Sequence, residues 1–182
     1  FLLNTGSCTI GSFLIVFARG QGVTGNIGLF FLVNACTMLI TRPIIGRLTD
    51  KFGLVKIAIP ALFCNIAAFV VISYSSTLWS FLIAAFISAF GYGAIQPAMQ
   101  ALSMKTVPNE RRGSASSTNY IGMDLGNLVG PSIGGNVAQA FGYSVMWRVM
   151  GIFFVLGVML MFTFRAMFTR IEAQFASKQD SK

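Results

Sequence analysis

The chain has 182 residues, of which 55% are hydrophobic and only 10% are charged, and its mean hydropathy is +0.74. Soluble domains usually carry about 25% charged residues, so this composition excludes an ordinary soluble fold. The net charge of +8 does not predict nucleic acid binding, because the basic residues flank apolar stretches and do not alternate with stacking aromatics. The lipid bilayer is the expected partner.

Long apolar stretches separated by short polar segments predict an all-α integral membrane protein with about six transmembrane helices. The first stretch begins without Met or a basic leader, which indicates a fragment that starts inside a helix. Glycine and proline inside a span are tolerated, because neighbouring helices satisfy the freed backbone groups. The predicted spans cover residues 1–17, 25–45, 55–74, 78–104, 114–141 and 145–168, and a polar tail covers residues 169–182.

The positions of the basic residues predict the orientation in the membrane. Arg19 and Arg148 lie at one set of span ends, whereas the other eleven basic residues lie at the opposite set. The side richer in Lys and Arg stays cytoplasmic, so both chain ends are predicted to be cytoplasmic. The eleven residues are Arg42, Arg47, Lys51, Lys56, Lys105, Arg111, Arg112, Arg165, Arg170, Lys178 and Lys182.

A hydrolase-like pattern, Gly-x-Ser-x-Gly, surrounds Ser132 in the fifth predicted span. That pattern needs a histidine base at a strand-to-helix turn, and the chain contains no His. The absence of His also removes zinc sites of the HExxH type. The sequence therefore predicts no enzymatic activity, no metal site and no cofactor.

The charged run GRLTDKFG, residues 46–53, follows the second predicted span. It resembles the cytoplasmic signature of the major facilitator superfamily, Gly-x-Leu-x-Asp-Arg/Lys-x-Gly, which joins the second and third helices of each six-helix half. The family pattern continues directly with basic residues, whereas Leu54 and Val55 precede Lys56 here. The resemblance implies a gating loop, in which Asp50 pairs with a helix N-terminus or a neighbouring Arg. Its predicted residues are Gly46, Arg47, Asp50, Lys51 and Gly53.

A second motif, GNLVGPSIGG at residues 126–135, lies in the fifth predicted span. It resembles the glycine-rich element that drug–proton antiporters of the same superfamily carry in the fifth helix of their first half. The spacing of four places Gly126, Gly130 and Gly134 on one helix face, where a neighbouring backbone can approach closely. Pro131 allows a bend, and Gly135 completes the motif. The motif therefore predicts helix packing.

The resemblance also indicates which half of a transporter the chain represents. First halves usually carry an arginine in the fourth helix, but span 78–104 contains no charged residue. The loop VPNERRG at residues 107–113 and the acidic Asp124 before the glycines are similar to the second half of bacterial drug-efflux-like members. The resemblance thus implies the C-terminal half of a twelve-helix major facilitator fold, in a bacterial inner membrane.

Asp124 is the only acidic residue deep inside a predicted span. An ionisable group there costs roughly 2.5 to 3.5 kcal/mol on insertion scales, so it indicates a cavity, a partner or a proton site. Tyr120 and Asn127 lie one helical turn away on either side, within hydrogen-bonding reach. Asp124 is the predicted proton-coupling residue. The alternative is that it only joins helices, together with Asn127.

Several polar residues are candidates for a substrate cavity. In the family, the first and fourth helices of each half line the central path. Each candidate can equally be a satisfied interhelical hydrogen bond, worth about 0.6 kcal/mol in membranes. The candidates are Asn4, Cys8 and Ser12 in the first span, Asn34 in the second, Gln96 and Gln100 in the fourth, and Tyr120 and Asn127 in the fifth.

The resemblance implies secondary transport of a small molecule by alternating access. The expected function is proton-coupled efflux of a hydrophobic or cationic compound. A sugar or organic-anion importer or uniporter of the same fold is one alternative, and a membrane scaffold that transports nothing is another. The expected partners are the missing N-terminal six-helix half or a second copy of the chain, a small-molecule substrate and protons.

Overall fold

The computed structural model describes residues 1–23, 25–105 and 107–164. The description omits the side chains at positions 50, 54, 55, 94, 98, 101, 102, 105 and 109. Within these ranges the chain forms six α-helices and one 3₁₀ turn, and no strand, which confirms the predicted all-α fold. The helices are α1 (Leu2–Gly20), α2 (Gly28–Phe52), α3 (Leu54–Tyr74), α4 (Leu78–Lys105), α5 (Arg112–Phe141) and α6 (Tyr143–Thr163).

Five of these helices, α1 to α4 and α6, are long and apolar enough to cross a membrane. Helix α5 has 30 residues, which is more than the roughly 20 needed for a crossing, but its composition is more polar. An α-helix satisfies its own backbone hydrogen bonds, which lipid cannot do. Many large apolar side chains are exposed on the outside of the bundle, for example Leu39, Trp79 and Leu128, as expected for surfaces that contact lipid or another helical unit.

The segment 46–53 is not a loop, so the sequence interpretation was wrong on this point. Helix α2 continues through Phe52, and Gly53 alone separates it from α3. Gly53 has a φ of 88°, a backbone conformation that other residues rarely adopt, whereas Gly46 lies within the helix with open space where its side chain would be. One glycine is therefore sufficient to reverse the chain, and the charged residues form the last two turns of α2.

Other boundaries differ by a few residues from the predicted spans. Helix α1 continues to Gly20, three residues beyond the predicted end. Helix α6 ends at Thr163, and residues 165–168 of the predicted span lie outside the described residues. The single 3₁₀ turn, Asn109–Arg111, lies in the predicted loop between α4 and α5. The predicted polar tail, 169–182, lies outside the described residues.

The neighbours of each helix show an internal exchange symmetry. Helix α1 packs against α5 and α6, while α4 packs against α2 and α3, and α3 packs against α6. If α1, α2 and α3 are exchanged with α4, α5 and α6 in that order, each of these pairs becomes another pair of the same set or stays the same. This is expected of the repeats from which many transporter folds are built. The α1–α5 and α2–α4 interfaces are therefore equivalent positions in the two repeats.

Aromatic side chains from four helices form the centre of the bundle. The Phe69 ring of α3 lies 5.0 Å from the Phe154 ring and 5.7 Å from the Trp147 ring, both on α6. The ring centre of Phe17 on α1 lies 6.0 Å from that of Trp147 and 6.0 Å from that of Phe81 on α4. All five are at most 3% exposed. This cluster fixes α3 and α6 inside the bundle, and the polar cavity lies beside it.

Candidate functional site

A cavity of about 180 Å³ lies beside the aromatic centre, enclosed by α1, α3, α4, α5 and α6. It lies towards the end of the bundle that contains the α2–α3 and α4–α5 turns, because α4 and α5 contribute residues near Lys105 and Arg112. Its described lining combines amide, hydroxyl and apolar side chains and includes no charged one. The lining residues are Phe1, Leu3, Asn4, Asn65, Tyr92, Ile95, Gln96, Met99, Gln100, Ser103, Asn119, Met123 and Phe154.

Asn4 links three helices at the edge of this cavity. Its amide nitrogen donates to the Met123 carbonyl at 2.7 Å and to Asn127 Oδ1 at 2.8 Å, both on α5. Its amide oxygen accepts a hydrogen bond from Tyr92 Oη of α4 at 3.2 Å. Asn4 is 7% exposed. The whole amide is therefore occupied within the protein, and Asn4 holds α1, α4 and α5 together.

Three of the predicted cavity residues lie on the cavity wall: Asn4, Gln96 and Gln100. Pro97 lies between the two glutamines and has no N–H to donate to the carbonyl of Gly93. One backbone hydrogen bond of α4 is therefore missing beside the cavity. Whether these side chains contact a substrate remains a prediction.

The other predicted cavity residues lie elsewhere. Asn34 joins α2 to α4 by donating to the Ala85 carbonyl at 3.1 Å and to Ser88 Oγ at 2.8 Å. Cys8 faces α5, where its thiol donates to the Gly126 carbonyl at 3.5 Å. The exposed side chains of Ser12 and Tyr120 lie outside the cavity, and Asn127 is engaged with Asn4.

Sequence reasoning missed Asn65, Tyr92, Ser103 and Asn119, which also line the cavity. Asn65 is a carboxamide in the middle of the very apolar α3, and a polar residue in such a position is a signal for function. Tyr92 precedes Gln96 by four residues, so both lie on one face of α4. The sequence thus contained signals for these residues, but it did not show which helices pack together to place them on one cavity wall.

The glycine motif of α5 packs directly on α1. Gly126, Gly130 and Gly134 are buried on one face. A Cβ atom on Gly126 would lie 2.9 Å from the Phe1 carbonyl oxygen, and one on Gly130 would overlap the Thr5 carbonyl oxygen. Pro131 lies within the helix beside this face, and Gly135 lies at its margin, where an added Cβ would meet only Phe13 at 3.6 Å. The absent side chains let the two backbones touch.

Asp124 lies on the opposite side of α5 from these glycines and outside the cavity lining. Its side chain is exposed and makes no hydrogen bond or ion pair with any described residue. Its exposed neighbours are Tyr120 and Ile121 on one side and Leu128 on the other. The predicted hydrogen bonds to Tyr120 and Asn127 are thus absent from this part of the protein.

The predicted gating residues occupy the end of α2. Arg47 and Lys51 are exposed, and Lys51 Nζ lies 5.4 Å from the centre of the Phe52 ring. The Asp50 side chain lies outside the described set, so its pairing stays a prediction.

Comparison with known proteins places this bundle in a family. The family model of the Major Facilitator Superfamily matches residues 1–179. The chain belongs to the Major Facilitator Superfamily. With its apolar helices, this makes it a multi-pass membrane protein and confirms the resemblance carried by the motifs at residues 46–53 and 126–135.

Within the Major Facilitator Superfamily the chain is similar to several bacterial proteins called multidrug resistance protein MdtG. It is 29% identical over 153 residues to the protein of Enterobacter lignolyticus, an alignment that covers 81% of this chain and 37% of the relative. The proteins of Escherichia fergusonii and Salmonella schwarzengrund are 29% and 28% identical over the same length, 38% of each being covered. The chain thus spans less than two fifths of the length of these relatives.

Proposed function

We propose that this chain is the C-terminal six-helix half of a secondary transporter that exports a hydrophobic or cationic compound in exchange for protons. The observation that carries the proposal is the polar cavity inside a bundle whose exterior is apolar. Polar side chains inside a membrane protein are costly and mark pathways for substrates or ions. Similarity to proteins named for multidrug resistance supports export over other directions.

The remaining partner is the N-terminal six-helix half, or a second copy of this chain. One half of such a fold provides one wall of a central site, and rocking of the two halves exposes the site to each side in turn. The exposed faces of α2 and α5 are available for that contact. They include Leu39, Ile40, Ile121 and Leu128. We place both chain ends in the cytoplasm of a bacterial cell, because the basic residues gather on that side.

Asp124 is the proposed proton-coupling residue. It lies near the middle of α5, exposed on the face that the second half would cover, and it has no partner within the described residues. A carboxyl group that changes its surroundings as the halves rock can bind a proton on one side and release it on the other. Because Asn127 is bonded to Asn4, Asp124 is not needed to join α5 to α1.

A second candidate function is uptake or uniport of an uncharged, hydroxyl-bearing compound such as a sugar. The observation that favours it is the described cavity lining, which contains four carboxamides besides Asn4 at the cavity edge and no charged side chain. The same lining disfavours organic anions, which need a cationic partner. Neither function involves catalysis or a cofactor.

Transport by the full-length protein in inside-out membrane vesicles tests the proposal. An imposed pH gradient is expected to drive accumulation of a cationic dye such as ethidium, and Asp124→Asn is expected to abolish the response to the gradient. Glu110→Gln is the control, because it removes an exposed carboxylate in the α4–α5 turn, outside the spans. Unchanged pH dependence in Asp124→Asn would refute the coupling role, and the absence of any transport would favour a scaffold.

A further inference from the structure

Asn65 is a buried carboxamide with unused hydrogen-bonding capacity on the cavity wall. It lies in the middle of α3 and is 2% exposed. Its amide nitrogen donates to the Ala61 carbonyl one turn earlier, at 3.2 Å. Its amide oxygen accepts no hydrogen bond from any described residue. This oxygen is not among the fully buried polar atoms without a partner, so it is accessible from the cavity, and an open acceptor on a cavity wall is available to a ligand.

Gly91 of α4 makes the room for this side chain. A Cβ atom at Gly91 would lie 2.6 Å from Asn65 Cγ and 2.7 Å from the Ala61 carbonyl oxygen. Any larger residue would displace the Asn65 amide or separate α3 from α4. Helix α3 packs on α4 and α6. Because Gly91 has no side chain, Asn65 of α3 can extend past α4 and line the cavity.

The rest of the wall defines what Asn65 can bind. Gln96 and Gln100 of α4 and Asn119 of α5 add uncharged donors and acceptors, while Met99 and Phe154 add an apolar surface. Sites with a few placed polar groups on a mostly apolar wall are typical for small molecules. Nothing in this described lining neutralises a charge, so it fits an uncharged amphiphile better than an ion.

We propose that Asn65 is a specificity residue of the cavity, and that its amide oxygen accepts a hydrogen bond from a hydroxyl or amide N–H of an uncharged amphiphilic ligand. The inference rests on the proposed transport function and narrows its substrate class. Within the range of hydrophobic or cationic compounds, it favours molecules that carry a neutral hydrogen-bond donor over those that carry none.

Equilibrium binding to the full-length protein purified in detergent tests the inference with two probes. Chloramphenicol is uncharged and carries hydroxyl and amide donors, whereas tetraphenylphosphonium is a cation without any donor. Asn65→Ala is compared with Asn65→Ser, because alanine and serine have similar sizes. Only serine has a hydroxyl group, which can donate to the Ala61 carbonyl and accept a hydrogen bond from a ligand. Asn65→Ala is expected to weaken chloramphenicol binding about tenfold, as for the loss of one hydrogen bond. Asn65→Ser is expected to stay within about threefold of the unmodified protein.

Tetraphenylphosphonium binding and the thermal midpoint serve to separate recognition from folding. Both are expected to change equally in the two variants, because both lose the same packing against Gly91. Equal chloramphenicol affinities in the alanine and serine variants would overturn the inference, and so would the absence of chloramphenicol binding to the unmodified protein. Ethidium transport in vesicles is measured independently, so failure of the proposed function is distinguished from failure of this assignment.

Discussion

The α1–α5 and α2–α4 interfaces occupy equivalent places in the two repeats, but they are built differently. At the first, Gly126 and Gly130 let the α5 backbone touch the α1 backbone near Thr5. At the second, side chains separate the helices: Met38 Cγ would lie 3.2 Å from a Cβ atom at Gly93, and Asn34 bonds across to Ser88. The same position in the fold thus uses backbone contact in one repeat and side-chain contact in the other.

This difference has consequences for motion and for tolerance of mutation. Two backbones in contact cannot move closer, and an added atom forces them apart, whereas a flexible methionine can adopt another rotamer. The hydrogen bonds differ as well, since Asn4 connects α5 to the cavity residue Tyr92, while Asn34 connects only α2 to α4. A displacement of α5 is therefore transmitted to the cavity wall, and we expect the α1–α5 pair to move as one unit.

Gly130→Ala is expected to have the largest effect on stability. The new methyl group overlaps the Thr5 carbonyl oxygen and the Cys8 sulfur, which separates α1 from α5. Overpacking of this kind costs about 1–3 kcal/mol or more, which exceeds the helix propensity that alanine gains over glycine. The thermal midpoint of the full-length protein in detergent is expected to fall by several degrees.

Gly135→Ala is the matched control on the same helix, because its methyl group meets only Phe13, at an ordinary 3.6 Å. It is expected to keep the midpoint unchanged or to raise it. If both variants had the same midpoint, the backbone contact at Gly130 would not determine the strength of this interface.

Asn4→Leu is expected to have the next largest effect. The substitution keeps the size of the side chain but removes three hydrogen bonds, to Tyr92, Met123 and Asn127. At about 0.6 kcal/mol for each interhelical bond in a membrane protein, the loss is about 2 kcal/mol. Combining Asn4→Leu with Tyr92→Phe tests the link to the cavity. The double variant is expected to be less destabilised than the sum of the single ones, whereas strict additivity would contradict the shared bond.

Asn34→Leu removes two hydrogen bonds at the equivalent interface, to the Ala85 carbonyl and to Ser88. The expected loss is about 1 kcal/mol, smaller than for Asn4, because fewer bonds break and only one pair of helices is involved. Ligand binding is expected to stay unchanged, since Asn34 lies outside the cavity. Unfolding of both variants in the same detergent measures the difference, and a larger effect at Asn34 would reverse the proposed ranking of the interfaces.

Much of this fold could be predicted from the sequence, for physical reasons. Lipid requires continuous helices, so the apolar stretches predicted all six helices, and the described ends, apart from the C-terminal end of α2, lie within a few residues of the predicted ones. The error at residues 46–53 arose because charge was taken as a sign of a loop, although Arg47 and Lys51 are good helix formers and only Gly53 leaves the helical conformation.

The cavity was harder to predict because it depends on which helices touch. Gln96 and Gln100 were found from their position in the fourth helix, and the glycine face of α5 was found from its spacing. Asn65 was missed because its access to the cavity depends on Gly91, which is 26 positions away in another helix, and single-chain periodicity contains no such pairing. Whether Asp124 has a partner depends on residues outside this bundle.

Gly93→Ala at the α2–α4 interface is expected to have the smallest effect. Its methyl group approaches Met38 Cγ at 3.2 Å and Thr41 Oγ1 at 3.6 Å, and the methionine side chain can move by the few tenths of an ångström required. Alanine is also about 1 kcal/mol better than glycine inside a helix, so the thermal midpoint is expected to stay level or to rise slightly. A loss as large as that of Gly130→Ala would mean that side-chain contact is as rigid here as backbone contact, and the contrast between the two repeats would disappear.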